Sequence, residues 1–135
     1  MGVFAQIEGE FDYEIVEEFF SHYSFMTESM EKLIVGLCDE TKYLRNVNEL
    51  FRICHNIKSS TGYLKIEPIN KLVTLAEETL EECRLVEGKG SEALINWLIL
   101  VSDQLNDYKE DLENDKESFS PLNHLIIKVP TKFTQ

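Results

Sequence analysis

Four stretches of this chain repeat apolar residues every three or four positions, with little to interrupt them. The first reads Ile15, Phe19, Met26, Met30, Leu33 and Leu37, widened by Phe20 and Tyr23. The second reads Val47, Leu50, Cys54, Ile57, Thr61 and Leu64, and the third Ile69, Leu72, Val73, Ala76, Leu80 and Cys83. The fourth runs Leu94, Trp97/Leu98, Val101, Leu105, Tyr108 and Leu112. Such spacing puts each set on one face of an α-helix. Only mutual packing hides all four faces, so the pattern predicts an all-α chain folded as an antiparallel up-down four-helix bundle. Six Gly and three Pro in 135 residues suit long helices better than a many-turned β fold.

Local signals place the boundaries. Asp12 is the expected N-cap of the first long helix, with a break near Ser21–Ser24. Residues 39–45 read as a polar connector. Asn46 with Glu49 resembles a capping box and is expected to open the second helix, which runs to about Leu64 or Lys65. Glu67-Pro68 marks the third start and Gly88-Lys89-Gly90 follows its end. Ser91 is the expected N-cap of the fourth helix. Residues 1–10 form a short lead-in, a helical extension of the bundle.

After Asp115 the helical pattern fails. Pro121 and Pro130 flank Leu125-Ile126-Ile127-Lys128-Val129, a piece able to add a strand, pack on the bundle or lead into a further domain. The chain therefore divides into a bundle at 1–117 and a short C-terminal tail or linker at 118–135. This matches a single domain of about 100–150 residues.

Charge and cysteine usage narrow the function. Hydrophobic residues make up 43% of the chain, enough for a core, and 25 acidic against 13 basic residues give a net charge of −12. A surface of that sign repels phosphate backbones and anionic lipid, against a nucleic-acid or membrane role. The three cysteines, Cys38, Cys54 and Cys83, form no C-x-x-C pair and suit a reduced compartment. Residues 1–10 carry no basic n-region and no apolar h-region, so no signal peptide is expected, and the longest apolar run, Trp97 to Val101, is far short of the roughly 20 residues a span needs. A soluble, cytoplasmic, monomeric protein is expected.

His55 is the residue with chemistry to offer. At about 100° per residue it falls just off the apolar face of the second helix, on a lateral stripe with Asn48, Arg52, Ser59 and Gly62. Lys58 follows one turn later. A neutral imidazole keeps one nitrogen lone pair free, and an exposed one is a competent nucleophile toward a phosphoryl group. A nearby cation such as Lys58 favours the added negative charge. Small residues at 59 and 62 would let another protein's backbone approach the ring.

The segment His55-Asn56-Ile57-Lys58-Ser59-Ser60-Thr61-Gly62-Tyr63-Leu64 resembles the phosphoacceptor segment of histidine-containing phosphotransfer (HPt) domains. It is especially similar to the one that opens chemotaxis-type histidine kinases. The shared pattern is His-x-x-Lys, then small residues, an apolar residue and a Gly turn. A characteristic Glu in the next helix falls, without a gap, at Glu77, and Arg52 is a common choice before the His. The resemblance is specific over about residues 46–84 and architectural from 12 to 112. It implies that His55 is phosphorylated on its outer nitrogen, that Glu77 accepts a hydrogen bond from the other, and that Lys58 steadies the phosphoryl group. Arg52, Ser59 and Gly62 would centre the docking surface. Ser59 departs from the family's usual Gly, and Lys65 stands where many members carry the turn Gly.

No Gly-rich phosphate loop, kinase motif or metal motif is present, so the chain is expected to be a phosphocarrier that binds no cofactor. Partners would bring the chemistry: a response-regulator receiver domain with its own Mg²⁺ and aspartate, or a histidine kinase ATP-binding domain. The rival readings are an HPt-like adaptor that binds a receiver or other protein without chemistry, and a purely structural dimerising bundle. His22 reads as a packing residue on the first helix, His124 sits in the tail, and Glu110 to Glu117 reads as a solvated helix end. Adjacent Cys54 and His55 point about 100° apart, against a zinc site with Cys83.

Overall fold

Five α-helices make up the fold in the computed structural model, which describes residues 1–135. They are α1 (Val3–Glu10), α2 (Tyr13–Val35), α3 (Tyr43–Tyr63), α4 (Glu67–Cys83) and α5 (Glu92–Glu113). Short 3₁₀ turns follow at Gly36–Cys38 and His124–Ile127. Helix covers 73% of the chain and there is no strand. α2 packs on α3 and α5, and α4 packs on the same two, so the four long helices close a ring. This architecture is compatible with the four-helix arrangement that the apolar stripes predict. Near the start of α3, Asn46 donates to the Leu33 carbonyl at the end of α2, and Tyr43 donates to Cys83 at the end of α4. α3 therefore runs antiparallel to both neighbours.

The buried faces follow the stripes of α3, α4 and α5 closely, whereas α2 differs in register. Its buried residues are Val16, Phe19, Tyr23, Thr27, Met30 and Ile34, while Ile15 is exposed and Met26 and Leu33 are half-buried. The helix is apolar on more than one side, so periodicity alone cannot choose its seam. Part of the excess packs elsewhere: Phe20 meets Phe4 of α1 edge-on, with ring centroids 5.8 Å apart. The break expected near Ser21–Ser24 does not occur. Tyr23 spans that region, buried completely, and its hydroxyl donates to the Leu105 carbonyl of α5 at 2.6 Å. His22, expected to pack, is instead exposed beside this seam.

The capping box expected at Asn46 is also absent. Asp39 organises the preceding turn by accepting from the Thr41 amide at 2.9 Å and the Thr41 hydroxyl at 2.6 Å. Those hydrogen bonds to Thr41 hold the Asp39 carboxyl below its ordinary value. α3 then begins at Tyr43, and Asn46 is buried one turn inside it, cross-linking to α2. Ser91 does cap α5, its hydroxyl accepting from the Leu94 amide at 3.0 Å. Pro68 sits in the first turn of α4, which ends at Cys83, well before the glycine pair.

Between α3 and α4, Lys65 adopts a φ of 58°, the left-handed conformation a glycine would hold without strain. Lys65→Gly should therefore stabilise the fold by about 1 kcal/mol, the relieved strain exceeding the extra entropy of the unfolded glycine. Urea denaturation measures it, and a loss of stability would mean that Lys65 makes a compensating contact.

Residues 118–135 lie against the helices. Ile126 is fully buried, and its carbonyl accepts from the Trp97 indole at 2.7 Å. Gln104 donates to the Pro121 carbonyl and accepts from the Asn123 amide. The Ser91 hydroxyl donates to the Lys132 carbonyl, and Gly90 forms an isolated antiparallel bridge with Thr134. The solvated helix end expected of residues 110–117 is not fully realised, because part of it is buried. Asp111 is completely buried, accepting from the Ser120 amide at 2.6 Å and its hydroxyl at 3.0 Å, with Lys116 Nζ at 3.2 Å. Asp115 caps α1 from across the fold, accepting from the Phe4 and Ala5 amides. Gly2 passes so close to Asp115 that a Cβ at position 2 would collide with it.

Of the three cysteines, Cys54 and Cys83 are buried and Cys38 is exposed. Burial pushes both inner thiols up to about 12, with the Glu77 charge adding to the effect at Cys54. Thiolate is the reactive form. A disulfide reagent at pH 8 should therefore modify Cys38 quickly and the other two only after unfolding. Three fast thiols would contradict the packing. Because these thiols stay protonated in the fold, their contribution to stability is complete below pH 9 and lost as pH rises toward 12.

Candidate functional site

The middle of α3 and the second half of α4 bring His55, Lys58 and Glu77 together. Ile57 and Thr61 on α3, with Val73, Ala76 and Leu80 on α4, are all buried and hold the two helices side by side. His55 and Lys58 sit one turn apart at the edge of that seam, and Glu77 faces them from α4. Asn70 strengthens the joint by donating to the Lys58 carbonyl at 2.9 Å.

Glu77 makes two contacts. Its Oε2 lies 3.0 Å from His55 Nδ1, and its Oε1 accepts from Lys58 Nζ at 3.2 Å. A carboxylate only accepts hydrogen bonds, so Nδ1 carries the ring proton and the lone pair of the neutral imidazole stays on Nε2. The His55 side chain is 57% exposed and that of Glu77 14%. A fixed carboxylate thus orients a ring that solvent or another protein can reach. Lys58, 40% exposed, sets a positive charge against the same carboxylate. The arrangement can present a nucleophilic nitrogen outward, or accept a proton there.

Arg52, Ser59 and Gly62 are all exposed along the same side of α3. Arg52 pairs with Glu49 at 3.1 Å, within its own helix. A Cβ at Gly62 would meet only Asn70 Nδ2, at an ordinary 3.5 Å, so nothing in this chain requires a glycine there. His124 lies far along the chain in its 3₁₀ turn and, like His22, has no hydrogen-bond partner among the protein's side chains. No three His, Cys, Asp or Glu side chains form a group able to hold a metal ion.

Sequence reasoning missed two neighbours of the ring. Phe51, one turn before His55, stacks nearly parallel to the imidazole, and Arg84 from the end of α4 sits over Phe51. The four-residue spacing of Phe51 and His55 is a legible signal, since such pairs meet on a helix. Arg84 has none, because only the pairing of α3 with α4 delivers it.

In an alignment of 110 positions that covers 78% of its length, the chain is 26% identical to the chemotaxis protein CheA of Salmonella typhimurium. It spans 16% of the length of that protein. No family model and no solved structure matches the chain.

Proposed function

We propose that this chain is a histidine phosphotransfer domain, an antiparallel four-helix bundle of the HPt kind, in which His55 receives and donates a phosphoryl group. The observation that carries the reading is the 3.0 Å contact between His55 Nδ1 and Glu77 Oε2 on an exposed ring. It leaves Nε2 outward with its lone pair free. Similarity to part of a chemotaxis protein supports a place in that type of signalling.

The donor is an aspartyl phosphate of a response-regulator receiver domain, or ATP held by a histidine kinase domain. In the first case Nε2 forms the N–P bond as the P–O bond to the aspartate breaks, the electron pair leaving on the aspartate carboxylate. No proton needs to leave Nε2, since it carries none. The ring becomes cationic and keeps its Nδ1 proton, which Glu77 stabilises by charge and hydrogen bond. Lys58 offsets the negative charge arriving at the phosphoryl group. Mg²⁺ belongs to the receiver, and this chain supplies position. The receiver docks over Arg52, Ser59 and Gly62, in a transient complex of the low-area class, because the partners separate after each transfer.

The test is to incubate the chain with a phosphorylated receiver and follow base-stable, acid-labile label. Wild type should take up label and His55→Gln none. Equal labelling of the two, or no uptake by wild type, defeats the proposal. Receiver binding without uptake would instead point to the adaptor reading.

A further inference from the structure

The His55 ring is constrained from a second direction. The Phe51 ring lies 9° from parallel to the imidazole, with centroids 6.2 Å apart. Phe51 is half-buried against the core, and the Arg84 guanidinium carbon lies 4.5 Å from its centroid. Arg84 is in turn held by Glu81, Nη1 to Oε2 at 3.2 Å. One side chain of α3 thus stacks beside the imidazole, and a cation just past the end of α4 lies over that side chain.

The hydrogen bond to Glu77 restrains the ring at one atom only. Its length and angle are soft and the terminal torsion of a histidine is broad, so the ring can still rock through a range of angles about the Cβ–Cγ bond. Rocking swings Nε2, the atom farthest from Cβ. An offset parallel aromatic neighbour makes such tilting costly, and a cation over Phe51 restrains the neighbour itself. Phosphoryl transfer demands that the attacking and leaving atoms stand roughly in line through phosphorus.

We propose that Phe51 is a positioning residue for His55, held in place by Arg84, so that α3 and α4 together set the direction of the Nε2 lone pair. The inference rests on the phosphotransfer reading above for its kinetic consequence, though not for its structural one. Phe51 touches no phosphoryl group. It acts through the ring.

Two measurements test it. The first needs no partner: carbon relaxation of the His55 Cε1 and Cδ2 positions in the unphosphorylated protein. The ring should be well ordered in wild type, looser in Phe51→Leu, and ordered again in Phe51→Tyr, which keeps the stacked ring. The second is the rate of transfer from a phosphorylated receiver. At saturating receiver, Phe51→Leu should transfer about tenfold more slowly, with the half-saturating concentration unchanged, and Arg84→Gln about threefold more slowly. Phe51→Tyr should match wild type.

A Phe51→Leu protein with wild-type ring order overturns the proposal, as does one whose only defect is in half-saturation, which would make Phe51 part of the docking surface. Should Phe51→Leu fail to fold, Arg84→Gln decides, since that side chain lies at the surface, and unchanged ring order there removes the clamp. If wild type takes up no phosphoryl group, the phosphotransfer reading falls while the relaxation data still decide whether Phe51 orders the ring.

Discussion

Glu77→Ala should slow phosphoryl uptake by His55 by roughly ten- to a hundredfold while leaving the helices intact. Glu77 is the only protein group on His55 Nδ1, at 3.0 Å, and it is mostly shielded from water. Without it, Nδ1 turns to solvent and the ring proton can move to Nε2, which takes the lone pair away from the outward face. The phosphorylated ring also loses the carboxylate that balances its charge. Alanine is a good helix former, and Lys58, 40% exposed, can return to water, so the fold has little reason to suffer. Glu77→Gln should recover part of the rate, because its amide oxygen can still accept from Nδ1. Single-turnover transfer from a phosphorylated receiver measures all three proteins. A Glu77→Ala protein that transfers at the wild-type rate would show that the contact does not orient the nucleophile.

The largest effect on stability is expected at Trp97, on α5. Its side chain is 3% exposed in the core, and its indole donates to the Ile126 carbonyl at 2.7 Å. Trp97→Ala should cost about 3–5 kcal/mol, combining lost apolar burial with the cavity left behind. It also removes the one side-chain hydrogen bond from α5 to the 3₁₀ turn at His124–Ile127, so residues 118–135 should become sensitive to limited proteolysis before the helices do. Trp97→Phe keeps most of the apolar volume and drops the hydrogen bond, so it should cost less, with about 1 kcal/mol coming from that bond. The chain has a single Trp, so circular dichroism in urea, rather than fluorescence, follows unfolding in both variants. If Trp97→Ala loses less than 1 kcal/mol, or its C-terminal segment resists protease as wild type does, that segment is held by other means. Phosphoryl uptake in the folded fraction should be unchanged.

These two sites show which parts of the molecule the sequence makes legible. His55, Lys58 and the buried face of α3 are related by steps of three and four along one helix, and such short-range relations can be read from the sequence. Glu77 stands 22 positions from His55, and its partnership came into view through resemblance to a known motif. Burial in α2 slipped to Val16 and Ile34 because that helix offers apolar residues on several sides, and only its packing against α1, α3 and α5 selects among them. Asn46 looked like a cap because Asn often caps, yet its amide bonds the Leu33 carbonyl across two helices. Asp111 reads as solvated in an acidic run, yet it is buried with Ser120 hydrogen-bonded to its carboxylate. In each miss the deciding partner lies on another element. Arg84 over Phe51 belongs with them.

The most direct measurement is the identity of the phosphorylated atom. Protein labelled with nitrogen-15 in its histidine rings can be phosphorylated with the small donor phosphoramidate and read by long-range proton–nitrogen correlation. The phosphoryl group should appear on Nε2 of His55, with the proton retained on Nδ1 beside Glu77. A phosphoryl group on Nδ1, or modification of the exposed His22 and His124 with His55 untouched, would contradict the proposed role of this site.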